Sequence, residues 1–211
     1  MIKREVPEQT KNALTLSFQR IFTKAAASLS SLNPQTSVWT FQTDHQLQAL
    51  LRDGLLQGHW SHVCPDDEAA YRFMCREMAA RGLSCAGRPP VWGWHSCGGY
   101  QRAPDAEVAR QLLSDHQLTD MSMLLLKFEC PSEQVLNSDY NVWCDGVYFP
   151  LASNTAFEPS AETVQRLFKI DYTALDDTLI QTVVPCLRRE WLAEVRKVQL
   201  VCNHKVRIAQ P

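Results

Sequence analysis

The feature that most constrains the fold is an apolar run in the second half of the chain. It extends from Met121 to Cys130 as MSMLLLKFEC. A short apolar run between polar segments predicts a buried β-strand. Its uncharged part, 121–126, is far shorter than the roughly 20 apolar residues that cross a bilayer. We therefore expect a fold built around a sheet and no membrane span.

Strand and helix patterns alternate along the rest of the chain. β-Branched and aromatic runs predict strands near 38–43, 59–63, 89–94, 179–184 and 195–201. Apolar residues at helical spacing predict helices near 44–54, 65–82, 106–113 and 161–168, the first of them capped by Asp44. Residues 136–143 carry neither signal and are expected to form an irregular loop, a kind of segment that often carries function. The pattern indicates an α+β fold with about six strands.

The first 35 residues differ in composition from the rest. They hold five basic and two acidic residues and end in a Ser/Thr/Ala-rich stretch. Leu14, Phe18, Phe22 and Leu29 share one helical face, and Asn33-Pro34 ends this pattern. We predict an appended segment at 1–35 and a main domain at 36–211. The segment is either a helix that docks on the domain or a leader for export or host targeting.

Charge and cysteine usage narrow the class of partner and the compartment. The chain has 21 Lys plus Arg against 23 Asp plus Glu, a formal net charge of −2. Because nucleic-acid-binding proteins need a basic excess to neutralise phosphates, we expect no nucleic-acid partner. The eight cysteines are scattered without C-x-x-C spacing, and we find no signal-peptide pattern. These observations predict reduced thiols and a cytosolic protein.

Standard catalytic motifs are missing, which narrows the search for chemistry. The sequence has no G-x-S-x-G elbow, no G-x-x-x-x-G-K phosphate loop and no G-x-G-x-x-G. Two groups could start a metal site, namely His59, His62 and Cys64, and His95 with Cys97, but neither has a familiar zinc spacing. We expect no metal. A Cys–His thiol hydrolase stays open as an alternative, although free cysteines are most often simply buried.

The remaining candidates are acids and aromatic residues on loops and strand ends: Trp39, Thr40, Trp92, Trp94, Asp105, Glu129, Asp139, Trp143 and Gln181. Each has a structural alternative. Tryptophans usually pack in cores. Asp105 is placed to cap a helix that begins at Ala106, and Ser138-Asp139 to form a side-chain turn. Glu129 shares a strand face with Lys127, which predicts a surface ion pair.

Several short motifs follow one another in a telling order between residues 36 and 202: Val38-Trp39-Thr40, Asp53-Gly54-Leu55, Ala70-Tyr71, Pro90-x-Trp92-x-Trp94, Pro104-Asp105, Leu136-x-Ser138-Asp139-x-x-x-Trp143 and Ile180-Gln181. This order resembles a bacterial domain family of unknown function, whose layout is similar to the ADP-ribosyltransferase superfamily. The cysteine-rich chain with its N-terminal segment also resembles bacterial effectors of the CteC type, which ADP-ribosylate ubiquitin on threonine.

The resemblance implies a split, twisted, mainly antiparallel sheet with flanking helices. It implies an NAD-dependent mono-ADP-ribosyltransferase that modifies a host protein, with a threonine of ubiquitin as the specific acceptor. We expect a monomer with NAD as its second substrate. Our candidates for the catalytic charge of such a transferase are Asp105, Glu129 and Asp139, the first two ranked highest, with Glu162 and Glu190 in reserve. Our candidates for NAD binding are Trp39, Thr40, Trp92, Trp94 and Gln181.

Two positions depart from the superfamily pattern. Thr40 stands where many members carry His or Arg on the first strand, and Gln181 stands where the late strand usually carries Glu. A glutamine can hydrogen-bond a ribose hydroxyl but cannot offset a positive charge. The alternative function is therefore a non-catalytic module that keeps the fold and docks a protein. A tRNA phosphotransferase of the same superfamily would need a basic surplus that this chain lacks.

Overall fold

The computed structural model describes residues 34–175, 178–201 and 205–209. The predicted segment 1–35 lies outside the described residues except for Pro34 and Gln35, and Gln35 already belongs to the first strand. The described residues contain nine strands: β1 Gln35–Thr43, β2 Leu55–Leu56, β3 Val91–Cys97, β4 Met123–Pro131, β5 Leu136–Asp139, β6 Leu179–Val184, β7 Leu187–Arg188, β8 Leu192–Val201 and β9 Lys205–Ala209.

Seven of these strands form one sheet in the order β5-β6-β3-β1-β4-β8-β9, while β2 and β7 form a small second sheet. Every pair of neighbouring strands is antiparallel. Helices flank the sheet: α1 Asp44–Asp53, α2 Glu68–Ala80, α3 Ala106–Leu112, α4 Asp115–Asp120, α5 Tyr140–Trp143, α6 Phe149–Ser153 and α7 Ala161–Phe168. A π-helical turn, Cys144–Tyr148, joins α5 to α6. The predicted mixed architecture with a mainly antiparallel sheet and flanking helices is confirmed.

Strand β4 is buried on both faces because its side chains alternate between two apolar clusters. Leu124, Leu126 and Phe128 belong to a cluster with residues of α1, including Leu50. Met123 and Leu125 point the other way, into a cluster with residues of α3 and α4. A third cluster packs α2 and the α5–α7 region on the part of the sheet that includes β6.

The local predictions differ from the structure at four places. Residues 59–63 do not form a strand; Trp60–His62 is a single 3₁₀ turn, capped by the side chain of His59. The expected loop at 136–143 is β5 followed by α5, because residues 136–139 pair with β6. Helix α1 is capped by Thr43 in a capping box with Gln46, so Asp44 is its first residue and not its cap.

The fourth difference is the number of strands, since nine lie in the described residues where about six were expected. The two-residue strands β2 and β7 are too short to leave a pattern, and β5 is recognisable only by its partner. The strands predicted near 38–43, 89–94, 179–184 and 195–201 and the helix at 161–168 are confirmed.

Candidate functional site

The seam between β1 and β3 is almost unpaired, in contrast to the rest of the sheet. The two strands share one residue pair, Trp39 with Trp94. At this point the backbones come close, because a Cβ on Gly93 would lie 2.7 Å from the carbonyl oxygen of Trp39. Thr40 adds a side-chain link by donating its hydroxyl to the carbonyl of Trp92 at 2.8 Å. Residue pairing between β1 and β3 is limited to this contact, although both strands belong to the same seven-stranded sheet.

A cleft of about 640 Å³ opens beside this contact between β1 and β3. This volume falls in the range of small-molecule sites. Four residues predicted to bind NAD line it, namely Thr40, Trp92, Trp94 and Gln181. The other polar side chains that line it are Gln42, Thr43, Gln46, Gln57, His59, His62, Tyr71 and Gln117. Among the described residues, its lining contains amides, imidazoles and aromatic rings but no Asp or Glu.

Gln181, on the late strand β6, lies in register with the contact between β1 and β3. Gln181 is paired with Trp94 on one side and with Ser138 on the other. Because residues directly opposite in antiparallel strands share a face of the sheet, these side chains form one row that continues to Trp39. Gln181 is 3% exposed, and Ser138 is fully buried.

Buried polar atoms without hydrogen-bond partners cluster in this row and beside it. In the part of the chain that the structure describes, four such atoms exist: Trp39 Nε1, Trp92 Nε1, Ser138 Oγ and Gln181 Nε2. A buried donor left without an acceptor costs about 1–3 kcal/mol. Two of the four residues, Trp92 and Gln181, line the cleft.

Trp39 was predicted to bind NAD, yet its ring does not line the cleft. It is 4% exposed and packs in the cluster with residues of α3 and α4. The Lys127 ammonium lies 5.5 Å and the Arg196 guanidinium 4.8 Å from the ring centroids of this tryptophan. Its backbone, in contrast, forms the single β1–β3 contact.

The three predicted catalytic acids are not brought together, and none lines the cleft. Asp105 caps α3 by accepting from the backbone N–H of Glu107 and Val108, both at 3.0 Å. Its predicted capping role is confirmed. Asp139 caps α5 in the same manner, accepting from the N–H of Val142 at 3.0 Å.

Glu129 lies on β4, where Lys127 forms an ion pair with it at 2.6 Å. The predicted pairing of these two side chains is confirmed. Ser37 also donates its hydroxyl to both carboxylate oxygens of Glu129. The Glu129 carboxylate therefore has two polar partners, on the side of β1 that pairs with β4.

The cysteines do not assemble a thiol hydrolase within the described residues. Burial raises the pKa of Cys97 and of Cys130 to about 12. A hydrogen bond from Cys85 and the charges of Arg72 and Arg76 lower the pKa of Cys75, which lies outside the cleft. No described cysteine is hydrogen-bonded to a histidine. Nor do any three His, Cys, Asp or Glu side chains of the described residues form a metal-binding group.

Several residues of the cleft carry no sequence signal. Gln42, Gln46, Gln57 and Gln117 come from separate segments and look like ordinary polar residues. Tyr71 was named in the motif Ala70-Tyr71 but not as a candidate site residue. It forms a wall shared by the cleft and a neighbouring pocket, and burial together with the charge of Asp67 raises the pKa of its hydroxyl.

Comparison with known proteins gives one match. A family model described as a domain of unknown function (DUF3841) matches residues 37–191, which include the cleft and the late strand. No curated protein and no solved structure matches the chain. Among the described residues, none of the helices has the length and apolar character needed to cross a membrane.

Proposed function

We propose that this chain, which belongs to the DUF3841 family, binds NAD in the cleft between β1 and β3 and transfers ADP-ribose from it to a protein side chain. One observation carries the proposal: the cleft is lined by Trp92 and Gln181, whose buried donors have no partner among the described residues. A carboxamide or ribose oxygen of NAD would accept from them.

The composition of the cleft suits a dinucleotide. Trp92, Trp94 and Tyr71 offer aromatic surface for flat heterocycles and would help to exclude water from the glycosidic bond. The glutamines offer paired donors and acceptors for amide groups and hydroxyls. Because no carboxylate of residues 34–175, 178–201 or 205–209 lines the cleft, no side chain of these ranges there repels the pyrophosphate.

The arrangement of elements supports the same proposal. In the ADP-ribosyltransferase superfamily a first strand contacts the nicotinamide amide through its backbone, a helix that ends in Gly-Leu follows, and a late strand begins with the catalytic acid. Here β1 borders the cleft, α1 ends at Asp53 and is followed by Gly54-Leu55, and Gln181 on β6 lines the cleft. The positions that the resemblance names on β1 and β6 thus include residues that line the cleft.

The reaction needs a carboxylate, because breaking the nicotinamide–ribose bond develops an oxocarbenium-like cation. Gln181 cannot supply that charge. Of the three predicted acids, Asp139 lies one residue along β5 from Ser138, which pairs with Gln181, and Glu129 lies two residues along β4 from Lys127, which pairs with Trp39. We therefore place Asp139 before Glu129 and Asp105 as the acid of the proposed transferase. The acceptor in this proposal is a host protein, with a threonine of ubiquitin as the first to test.

Incubation of the purified chain with labelled NAD and host lysate tests the proposal. We expect nicotinamide release and label on a protein, which mass spectrometry then identifies. One of Asp139→Asn, Glu129→Gln and Asp105→Asn should lower the rate at least about 100-fold. Glu107→Gln is the matched control, an exposed acid on α3 that should leave the rate unchanged. Absence of nicotinamide release with every lysate and with ubiquitin would overturn the transferase.

A second candidate is a non-catalytic protein-binding module with the same fold. The observation that favours it is that no Asp or Glu in the part of the chain that the structure describes lines the cleft, together with Gln181 at the position of the usual acid. This alternative predicts that NAD or a protein binds without any release of nicotinamide, and that all three acid variants behave like the native chain.

A further inference from the structure

A second concavity of about 270 Å³ lies beside the cleft and shares Tyr71 and Trp92 with it. We call it the aromatic pocket. Six rings line it, contributed by Tyr71, Trp92, Tyr140, Trp143, Tyr148 and Phe149. The other two residues of its lining are Asp67 and Cys144. The pocket therefore combines many aromatic surfaces with a single carboxylate.

The rings support one another and so hold the shape of the pocket. The ring centroids of Trp92 and Trp143 are 5.0 Å apart, and those of Trp92 and Tyr71 are 5.3 Å apart in an edge-on arrangement. Tyr148 and Phe149 make a further edge-on contact at 5.3 Å. Trp143 is 5% exposed at the base, whereas Phe149 is 56% exposed. Such contacts fix ring positions before any ligand arrives.

The carboxylate of Asp67 has no cationic partner within the described residues. It is half-buried and accepts a hydrogen bond from the Tyr148 hydroxyl at 2.7 Å. This hydrogen bond, followed by burial, raises the pKa of Tyr148 to about 12, so Tyr148 is a neutral donor and cannot balance the charge. A partly buried carboxylate among rings is left without a counter-ion.

Cations of this chain cover other aromatic rings but not these. Arg72 lies 4.5 Å from the ring centroid of Trp60, Arg81 lies 3.9 Å from that of Phe168, and Arg196 covers Trp39. Across the described ranges, no Lys or Arg lies over any of the six rings of the aromatic pocket. Its π-faces and its carboxylate are both available to a cation from outside.

We infer that the aromatic pocket binds an organic nitrogen cation, of the pyridinium or alkylated ammonium type, with Asp67 as its counter-ion. Aromatic faces attract weakly hydrated cations of this kind. A metal ion would need several oxygen ligands, and the pocket offers one carboxylate. The pyridinium ring of NAD⁺ and a methylated lysine of a protein are two sources of this chemistry. The inference goes beyond NAD binding in the cleft and does not require it.

Calorimetric titration with small probes tests the inference. We expect 1-methylnicotinamide, a cation, to bind at least 10-fold more tightly than neutral nicotinamide, and tetramethylammonium to compete with it. Asp67→Asn should abolish this charge preference. Asp66→Asn is the matched control, because Asp66 is the exposed neighbour and does not line the pocket. Thermal melts establish that both variants are folded.

Tyr148→Phe provides a second variant in case Asp67→Asn does not fold. It removes the hydrogen bond but keeps the carboxylate, so the preference for the cation should persist. Equal affinity for the charged and neutral probes, or an unchanged preference in a folded Asp67→Asn variant, would overturn the inference. NAD⁺ binding in preference to NADH would identify the dinucleotide as the source, and binding of a trimethyl-lysine peptide would identify a protein. If 1-methylnicotinamide binds but NAD⁺ does not, the proposed transferase fails and the inference stands.

Discussion

The two edges of strand β1 differ in the number of residues that they pair with the neighbouring strand, and this difference is larger than at any other strand of the sheet. Towards β4, all nine residues of β1 are paired in continuous register. Towards β3, one residue pair joins the strands, and a cleft opens beside it. The same backbone is therefore closed on one side and open on the other.

The pairing of polar side chains also differs between Glu129, beside the closed edge, and two residues of the cleft. Beside β4, Ser37 donates to Glu129 and Lys127 forms an ion pair with it. Trp92 and Gln181, which line the cleft, keep buried donors without partners in the described residues. A protein that only needed stability would have paired these donors. The nine residue pairs with β4 indicate that the closed edge stabilises the domain, whereas the open edge borders the cleft in which we propose that NAD binds.

Leu126→Ala should have the largest effect on stability, since it damages the closed edge. Leu126 lies on β4, is fully buried, and packs with residues of α1. Removing its side chain should lower the free energy of unfolding by about 2–5 kcal/mol, through lost burial and a cavity. Urea unfolding measures this. Val201→Ala, at a side chain 40% exposed on β8, should cost under about 0.5 kcal/mol. A loss below about 1 kcal/mol for Leu126→Ala would contradict the role given to this edge.

Gly93→Ala should be the next largest, since it acts on the single contact of the open edge. The new Cβ would meet the carbonyl oxygen of Trp39 at 2.7 Å, so a backbone must shift, at about 1–3 kcal/mol. Gly54→Ala separates this clash from backbone strain, because Gly54 has a φ of 77° but open space around it. We expect both variants to have a lower melting temperature and only Gly93→Ala to weaken the binding of NAD in the cleft. Equal binding by the two would show that the β1–β3 contact does not shape the site.

The sequence predicted elements whose signals are local and missed those that depend on distant partners. Strand β4 and helix α7 carry their own apolar patterns, and Asp105 sits next to the helix that it caps. Strand β5 has no such pattern, because β6 holds it in place. The single residue pair between β1 and β3 depends on two strands more than 50 residues apart, which no local signal reports.

The candidate site was predictable only in part for the same reason. The resemblance named Thr40, Trp92, Trp94 and Gln181, which do line the cleft. It also named Trp39, and strand alternation alone could not tell that its ring packs beneath Arg196. Asp67, the carboxylate of the aromatic pocket, carries no such signal, because it immediately precedes helix α2 and acidic residues are common at helix starts.

Gln181→Met should separate stability from binding at the open edge. The change removes a buried donor without a partner and keeps an apolar stem, so the free energy of unfolding should stay the same or rise by about 1 kcal/mol. NAD affinity should fall about 10-fold, the worth of one hydrogen bond of about 1.4 kcal/mol. Gln42→Met is the matched control in the same cleft: Gln42 donates to Thr40 at 2.9 Å, and losing that bond should cost about 1 kcal/mol of stability. If Gln181→Met proves the more destabilising of the two, its donor has a partner in solution and the proposed site loses its main support.

The smallest effect concerns pH and the strand that borders the cleft. Burial lowers the pKa of His95 on β3 below its usual 6.5, and its ring contacts Tyr100 and Tyr172. The unfolded chain therefore binds a proton before the folded one does, so this contribution to stability is complete above about pH 6.5 and is lost as the pH falls below it. Urea unfolding between pH 7.5 and 5 should show a steeper decline for the native chain than for His95→Asn, whose side chain does not titrate. Parallel curves would mean that His95 is solvated, and that β3 is open along its length and not only at its edge towards β1.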